Sequence, residues 1–359
     1  MTDATDFVEL ARIWRGPAVE SVHSGAVVVT NFDGRLVGCW GDAGTVTFPR
    51  SSLKPFQAIG LVESGAADAL GLSDEHIALA CASHGAESFQ VALVQDWLGR
   101  LGLDESALVC GPALPRGQDD IVAACQAGGP RRIYHNCSGK HCGFLSVAKQ
   151  LGAGLDYANP ANPAQQLYMD VLSEYLGRDA RKLPMGHDHC GLPAAAVPMR
   201  DMATAMARLA VGWSANNARR AAAKRVVRAM TTHPDHLSGM DAATSRLVRA
   251  TNGKVVLKGG AEGFLLAAAP ERGLGFAIKV ADGASRVKWG VLARMLGHYG
   301  VLPVAEAEAL IQQVEPPVPN SNGSEGARTQ IVLEQPVPTT PTEATLAFWM
   351  GGVKEALFP

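Results

Sequence analysis

The spacing of hydrophobic positions changes character twice along the chain. Between residues 7 and 50 it is strand-like. Val27-Val28-Val29-Thr30 is β-branched throughout, Asn31-Phe32-Asp33-Gly34 supplies a turn, and Arg35 to Trp40 alternates again, which predicts a β-meander. From 52 to about 250 the spacing is mostly helical. Ser73-Asp74-Glu75 is a helix start with Ser73 as N-cap, and Glu87 to Leu101 returns to helical spacing through Val91, Leu93, Val94, Trp97 and Leu98. Pro163 to Leu176 and Asn217 to Met230 predict two more helices, the second ended by His233-Pro234. Small residues from Ala80 to Gly85 interrupt this run and predict a tight, buried turn. Strands return at Lys254–Lys258, Gly263–Ala269 and Gly273–Val280, followed by helices near 284–299 and 304–313 and a loop over Glu315–Asn320. Residues 334–342 are rich in Pro and Thr and read as a linker to an apolar tail, Ala344 to Phe358.

Strands at both ends with helices between them predict an α+β fold, a mainly antiparallel sheet built from both chain ends with an inserted helical lobe. The boundaries are a sheet lobe of about 7–50 plus 251–333 and a helical lobe of about 51–250. Together they form one domain over 1–333, with 334–359 as linker and tail. Serine β-lactamases and penicillin-binding proteins share this layout, an analogy that does not set function. A net charge of −2 over 359 residues gives no electrostatic case for nucleic acid or an anionic membrane. The basic run Arg219, Arg220, Lys224, Arg225, Arg228 reads as a solvated helix face. No apolar run reaches membrane-spanning length, the N-terminus does not read as a signal peptide, and seven scattered cysteines do not form a disulfide framework. A reducing cytoplasm is the expected compartment.

Five clusters carry possible chemistry. Ser51-x-x-Lys54 puts an amine one helical turn from a hydroxyl, and a neutral lysine there can act as base for a serine nucleophile. Ser83 follows in the small-residue turn, and Lys258 precedes two glycines on a late strand. Penicillin-recognising enzymes carry a Ser-x-x-Lys, a later serine loop and a Lys-Thr-Gly strand in this order. The last two clusters are His135-Asn136-Cys137-Ser138-Gly139-Lys140-His141-Cys142-Gly143 and His187-Asp188-His189-Cys190-Gly191, read as short loops. Their thiols and imidazoles suit zinc, reduced structural cysteines are the alternative, and Cys137 beside His141 leaves a cysteine nucleophile open.

Taken together these motifs resemble the serine-lysine L-asparaginase family known as asparaginase II, distinct from the threonine-dependent asparaginases. The matching segments are Val19-Glu20-Ser21-x-His23-x-Gly25, Arg50-Ser51-Ser52-x-Lys54-Pro55-Phe56-Gln57, Ala82-Ser83-His84, Asn136 to His141, Cys190-Gly191-x-Pro193, Lys258-x-Gly260-Ala261-Glu262-Gly263 and Lys279-x-x-Asp282-Gly283. The resemblance implies a β-lactamase-like fold, a homodimer, and conversion of L-asparagine to L-aspartate and ammonia. It implies two catalytic pairs, Ser51 with Lys54 and Ser83 with Lys258. It also implies Zn2+ held by Cys137, Lys140 and Cys190, with Lys140 deprotonated to bind it. Arg50 is the expected partner of the substrate carboxylate, and Glu262, Asp188 or Asp282 of its ammonium, with His84 also at the substrate. Cys142, His189 and Asn162 depart from the family's pattern, and Cys142 is expected to add a metal ligand or an oxidation liability. A glutaminase, a β-lactam-recognising enzyme, a zinc-dependent amidohydrolase and a non-enzymatic metal-regulated binding protein are the alternatives.

Overall fold

The computed structural model describes residues 7–333, so the linker and tail expected from 334 onward lie outside the described residues. The described chain divides into two units. The first comprises 7–52, 197–211 and 246–333, and the second 53–196 and 212–245.

The first unit is built on an eight-stranded antiparallel sheet. Its strands are β1 (Val8–Arg15), β2 (Ala18–Asn31), β3 (Leu36–Trp40), β4 (Val256–Gly259), β5 (Phe264–Ala269), β6 (Leu274–Val280), β7 (Val318–Pro319) and β8 (Glu325–Ile331). They run in the order β7-β8-β1-β2-β6-β5-β4, with β3 beside β2. Both chain ends therefore contribute. The expected meander needs correction, because β2 is long enough to serve two neighbours along one edge. Val8–Arg15 pairs with its first half up to Gly25, and Leu36–Trp40 with Val27–Thr30, while β6 takes the opposite edge from Gly25 to Asn31. Val318–Pro319, expected as loop, closes the sheet as its edge strand.

β5 is buried at every position and β6 at nearly every one, so neither alternates. Both faces of the sheet are covered, and strands buried on both sides read as continuous apolar runs. One cover is the helix Met199–Ala210, which sequence spacing assigned to the helical lobe. It reaches the sheet because Gly275 lacks a side chain. A Cβ there would collide with the Ala203 carbonyl. The next residue, Phe276, points the other way and meets the Tyr299 ring at 5.9 Å, on the side of the helices Lys288–His298 and Val304–Val314.

The second unit is helical, with Lys54–Glu63, Asp74–Ala80, Ser88–Leu101, Ser138–Gln150, Pro163–Leu176 and Asn217–Thr232 as its main elements. Ser73 caps the second as expected, and Asn162 caps Pro163–Leu176 by accepting from Ala164 N at 3.0 Å. The cluster around Cys137 is not a loop. Ser138 begins a helix whose residues 138–148 are all buried, so packing on every side overrides its glycines and polar residues. Nor is the basic run simply solvated. Arg219 is 9% exposed and pairs with Glu63 at 2.7 Å and Glu174 at 2.5 Å, while Arg225 and Arg228 pair with Asp74. These carboxylates come from three other helices, so the run ties Asn217–Thr232 into the unit. Removing one partner of such a buried pair costs about 3–5 kcal/mol.

Candidate active site

In the first unit, Ser51 sits in a 3-10 turn, Arg50–Leu53, that leads directly into the helix Lys54–Glu63, with Pro55 in its first turn as expected. Arg50 enters that turn at a left-handed φ of 55°. The two adjacent serines differ. Ser52 is fully buried and donates to the Lys258 carbonyl at 2.7 Å, whereas Ser51 keeps part of its surface open. The Ser52 bond holds the turn against the end of β4, where Lys258 is 1% exposed and donates to Gly259 O at 2.6 Å. Gly260 is obligatory at this junction, since a Cβ would collide with Pro49 O and stand 2.9 Å from Ser52 Oγ.

Sequence reasoning missed Lys288. It is 3% exposed and donates to Gly260 O at 2.9 Å, supporting the strand end from behind, with its ammonium 5.0 Å from the Trp289 ring. Burial pushes its pKa down to about 8, opposed by Glu315 and assisted by Lys279. Between about pH 8 and the ordinary lysine value of 10.5 the unfolded chain holds a proton that the folded chain has released. Stability attributable to this group therefore rises with pH across that window. Lys288→Met should remove the rise, measured as the difference in urea midpoint between wild type and variant over this range. A difference independent of pH would contradict the assignment.

Two residues past Gly260, Glu262 is exposed at a left-handed φ of 54°, and its carbonyl accepts from Lys279 at 2.6 Å. Asp282 instead pairs with the buried His23 through Nδ1 at 2.7 Å.

In the second unit Lys54 is fully buried, and its Nζ donates to the Ala82 carbonyl and to Ser83 Oγ, the latter at 3.2 Å. The small-residue turn is extended and nearly closed to solvent, with Ser83 as its partly open member. His84 holds this turn in place. Its Nδ1 accepts from Ala86 N at 3.1 Å, which leaves Nε2 to donate to Ser138 Oγ at 2.8 Å, and Ser138 Oγ donates to Ile133 O at 3.1 Å. Burial, and then the Lys54 charge, push the His84 pKa down to about 3, so it is neutral near pH 7. Both of its ring nitrogens are thus engaged inside the protein. Ser138, its partner, carried no sequence signal of its own.

Cys137, Lys140, Asp188 and Cys190 converge beside this turn. Lys140 Nζ is 2.9 Å from Cys190 Sγ and 3.4 Å from Asp188 Oδ2, and the two thiols are hydrogen-bonded to each other. That bond, with the charges of Lys54 and Lys140, holds the Cys137 thiol well below its ordinary range despite burial. Lys140 is kept cationic, because the attraction of Cys137, Cys190 and Asp188 outweighs a larger single cost of burial. Asp188 thus lies at the thiol cluster. Cys142 is buried with its pKa raised by desolvation, and the thiol that acts on it is Cys110 rather than Cys137. His189 stays exposed, its ring stacked on that of His135 at 6.1 Å. Among the described residues no three His, Cys, Asp or Glu side chains form a metal-holding group. A three-donor set here therefore requires the Lys140 amine.

The described residues include no helix long and apolar enough to cross a membrane. A sequence model of the family described as L-asparaginase II matches residues 11–331. Comparison with curated proteins finds no match. Among solved structures, Mglu in its native form is 18% identical at a TM-score of 0.45, covering 78% of this chain and 65% of its own. A Bacillus glutaminase is 12% identical at a TM-score of 0.37, covering 77% of this chain and 91% of its own. A β-lactamase from Mycobacterium bovis is 13% identical at a TM-score of 0.35, with 77% and 94% covered. The chain spans 65% of the length of Mglu.

Proposed function

The chain belongs to the L-asparaginase II family, and from that premise we propose that it hydrolyses the side-chain amide of L-asparagine to L-aspartate and ammonia. Its activity class is amide hydrolysis. The observation that carries the finer reading is the fully buried Lys54, whose amine bonds Ser83 one helical turn from the partly open Ser51.

In this reading Lys54 enters the reaction in its neutral form, Ser51 attacks the amide carbon, and Lys54 receives the hydroxyl proton. Backbone N–H groups at the helix start stabilise the oxyanion. Ser83 and Lys258 relay a proton to the departing ammonia, and the same relay then deprotonates the water that releases aspartate. Ser52 and His84 do no chemistry. They fix the two segments that carry the serines. Ammonia release from L-asparagine, L-glutamine and a β-lactam panel tests the proposal. Turnover of asparagine below that of every other amide would overturn it.

The donor set at Cys137, Lys140 and Cys190 fits a zinc ion. Cys190, in contact with the Lys140 amine at 2.9 Å, and its partner thiol Cys137 supply sulfur and nitrogen ligands, and the depressed Cys137 thiol is ready to lose its proton. Lys140 would have to give up its proton to bind. The ion would supply a fixed positive charge beside the pocket. Cys137, Lys140 and Cys190 would then order the Ser83 turn and the Asp188 loop, while the serine–lysine groups keep the bond-breaking steps. Chelation should therefore raise KM more than it lowers kcat. Complete, zinc-reversible loss of kcat at unchanged substrate affinity would instead favour a zinc hydrolase.

A further inference from the structure

Arg116 stands in the loop between the bridge Ala113–Arg131 and the helix Gln118–Gln126. Its backbone is fixed at two points. Ala113 and Arg131 exchange hydrogen bonds of 3.0 and 3.1 Å, and Arg116 N donates to Gly85 O at 2.9 Å, two residues beyond Ser83. The guanidinium is thus presented from a rigid mount beside the serine turn. It is exposed to solvent, yet surrounding protein desolvates it enough to lower its pKa.

Among the described residues its side chain makes no ion pair with a carboxylate and no hydrogen bond. The cations nearby are already committed, Lys54 to Ala82 O and Ser83, and Lys140 to Cys190 and Asp188. The charge of Arg116 acts on Cys137 and on His84, the residue after Ser83. A partly desolvated guanidinium without a carboxylate partner is the preferred receptor for one, because its planar fork takes two carboxylate oxygens at once.

We propose that Arg116 binds the α-carboxylate of the substrate and so selects an α-amino acid amide over a simple amide. The assignment rests on the amidohydrolase reading above. Arg116 is preferred to Arg50, which the sequence favoured, because its backbone is fixed to the turn that carries Ser83.

The test compares L-asparagine with 3-aminopropanamide, which is asparagine without its α-carboxylate. Loss of a charge-assisted pair should cost about 10- to 100-fold in affinity. Arg116→Gln should therefore cut the kcat/KM preference for asparagine over 3-aminopropanamide by at least about tenfold, mostly through KM, and Arg116→Lys should restore part of it. An unchanged preference, or equal losses on both amides, would overturn the assignment, as would the same signature in Arg50→Gln but not in Arg116→Gln. Calorimetric titration with L-aspartate and with β-alanine reads the same contact without turnover. A wild-type enzyme inert toward asparagine would sink the functional reading. The titration would still judge Arg116, by whether the Gln variant loses its preference for aspartate over β-alanine.

Discussion

Ser51→Ala is expected to abolish ammonia release from asparagine and leave the fold intact. Ser51 stands where a short 3-10 turn hands over to the helix Lys54–Glu63, and part of its surface faces solvent. Loss of a nucleophile typically lowers kcat by about 10⁴–10⁶-fold. Its neighbour provides an internal control. Ser52 has the same side chain one residue along, but it is fully buried and spends its hydroxyl on Lys258 O at 2.7 Å. Ser52→Ala should cost about 1 kcal/mol of stability, the usual contribution of one hydrogen bond, and a far smaller share of kcat. Urea midpoints and single-turnover rates for the two variants separate the roles. Near-normal turnover in a folded Ser51→Ala enzyme, with the large loss in Ser52→Ala, would reverse the assignment of nucleophile and brace.

The same neighbourhood shows what a sequence can and cannot reveal. Ser51, Lys54 and Lys258 were legible because their motifs are local: an i to i+3 pair with a proline in the first turn, and a lysine leading into two glycines. The helices Pro163–Leu176 and Ser88–Leu101 were legible for a similar reason, the first through its first-turn proline and the second through its apolar period. The helix Ser138–Gln150 was not. Cys137-Ser138-Gly139-Lys140 has the composition of a loop, and only burial on all sides makes it helical. Arg219 looked solvated because its partners, Glu63 and Glu174, lie 156 and 45 residues away. His84 was expected at the substrate from the resemblance carried by Ala82-Ser83-His84. Its bond to Ser138, 54 positions along, turns it inward. Lys288 and Arg116 belong to no recognisable motif, and their significance lies in backbone carbonyls that only the folded chain brings near. Local chemistry was readable, and partnerships across long sequence separations were not.

Lys54→Met is the second large effect expected. Methionine matches the length of the lysine stem but supplies neither charge nor donor. Losing a general base usually lowers kcat by about 10²–10⁴-fold. A brace would also be lost, because Lys54 Nζ donates to the buried Ala82 carbonyl as well as to Ser83 Oγ. An unsatisfied carbonyl there costs about 1–3 kcal/mol, so the variant should melt earlier whatever its catalytic role. Stability alone therefore cannot distinguish a base from a support. A double-mutant cycle with Ser83→Ala can. Ser83→Ala removes the hydroxyl that Lys54 bonds and leaves the Ala82 bond in place. If Lys54 and Ser83 act as one proton-transferring unit, either change alone disables it, and the double variant should be scarcely slower than the worse single variant. If Lys54 is only a support, its loss acts through the position of the turn, and the two losses in kcat should multiply. Multiplying losses, or a Lys54→Met enzyme that keeps most of its kcat at a temperature where it is folded, would remove Lys54 from the chemistry and leave the buried amine as scaffolding for the serine turn.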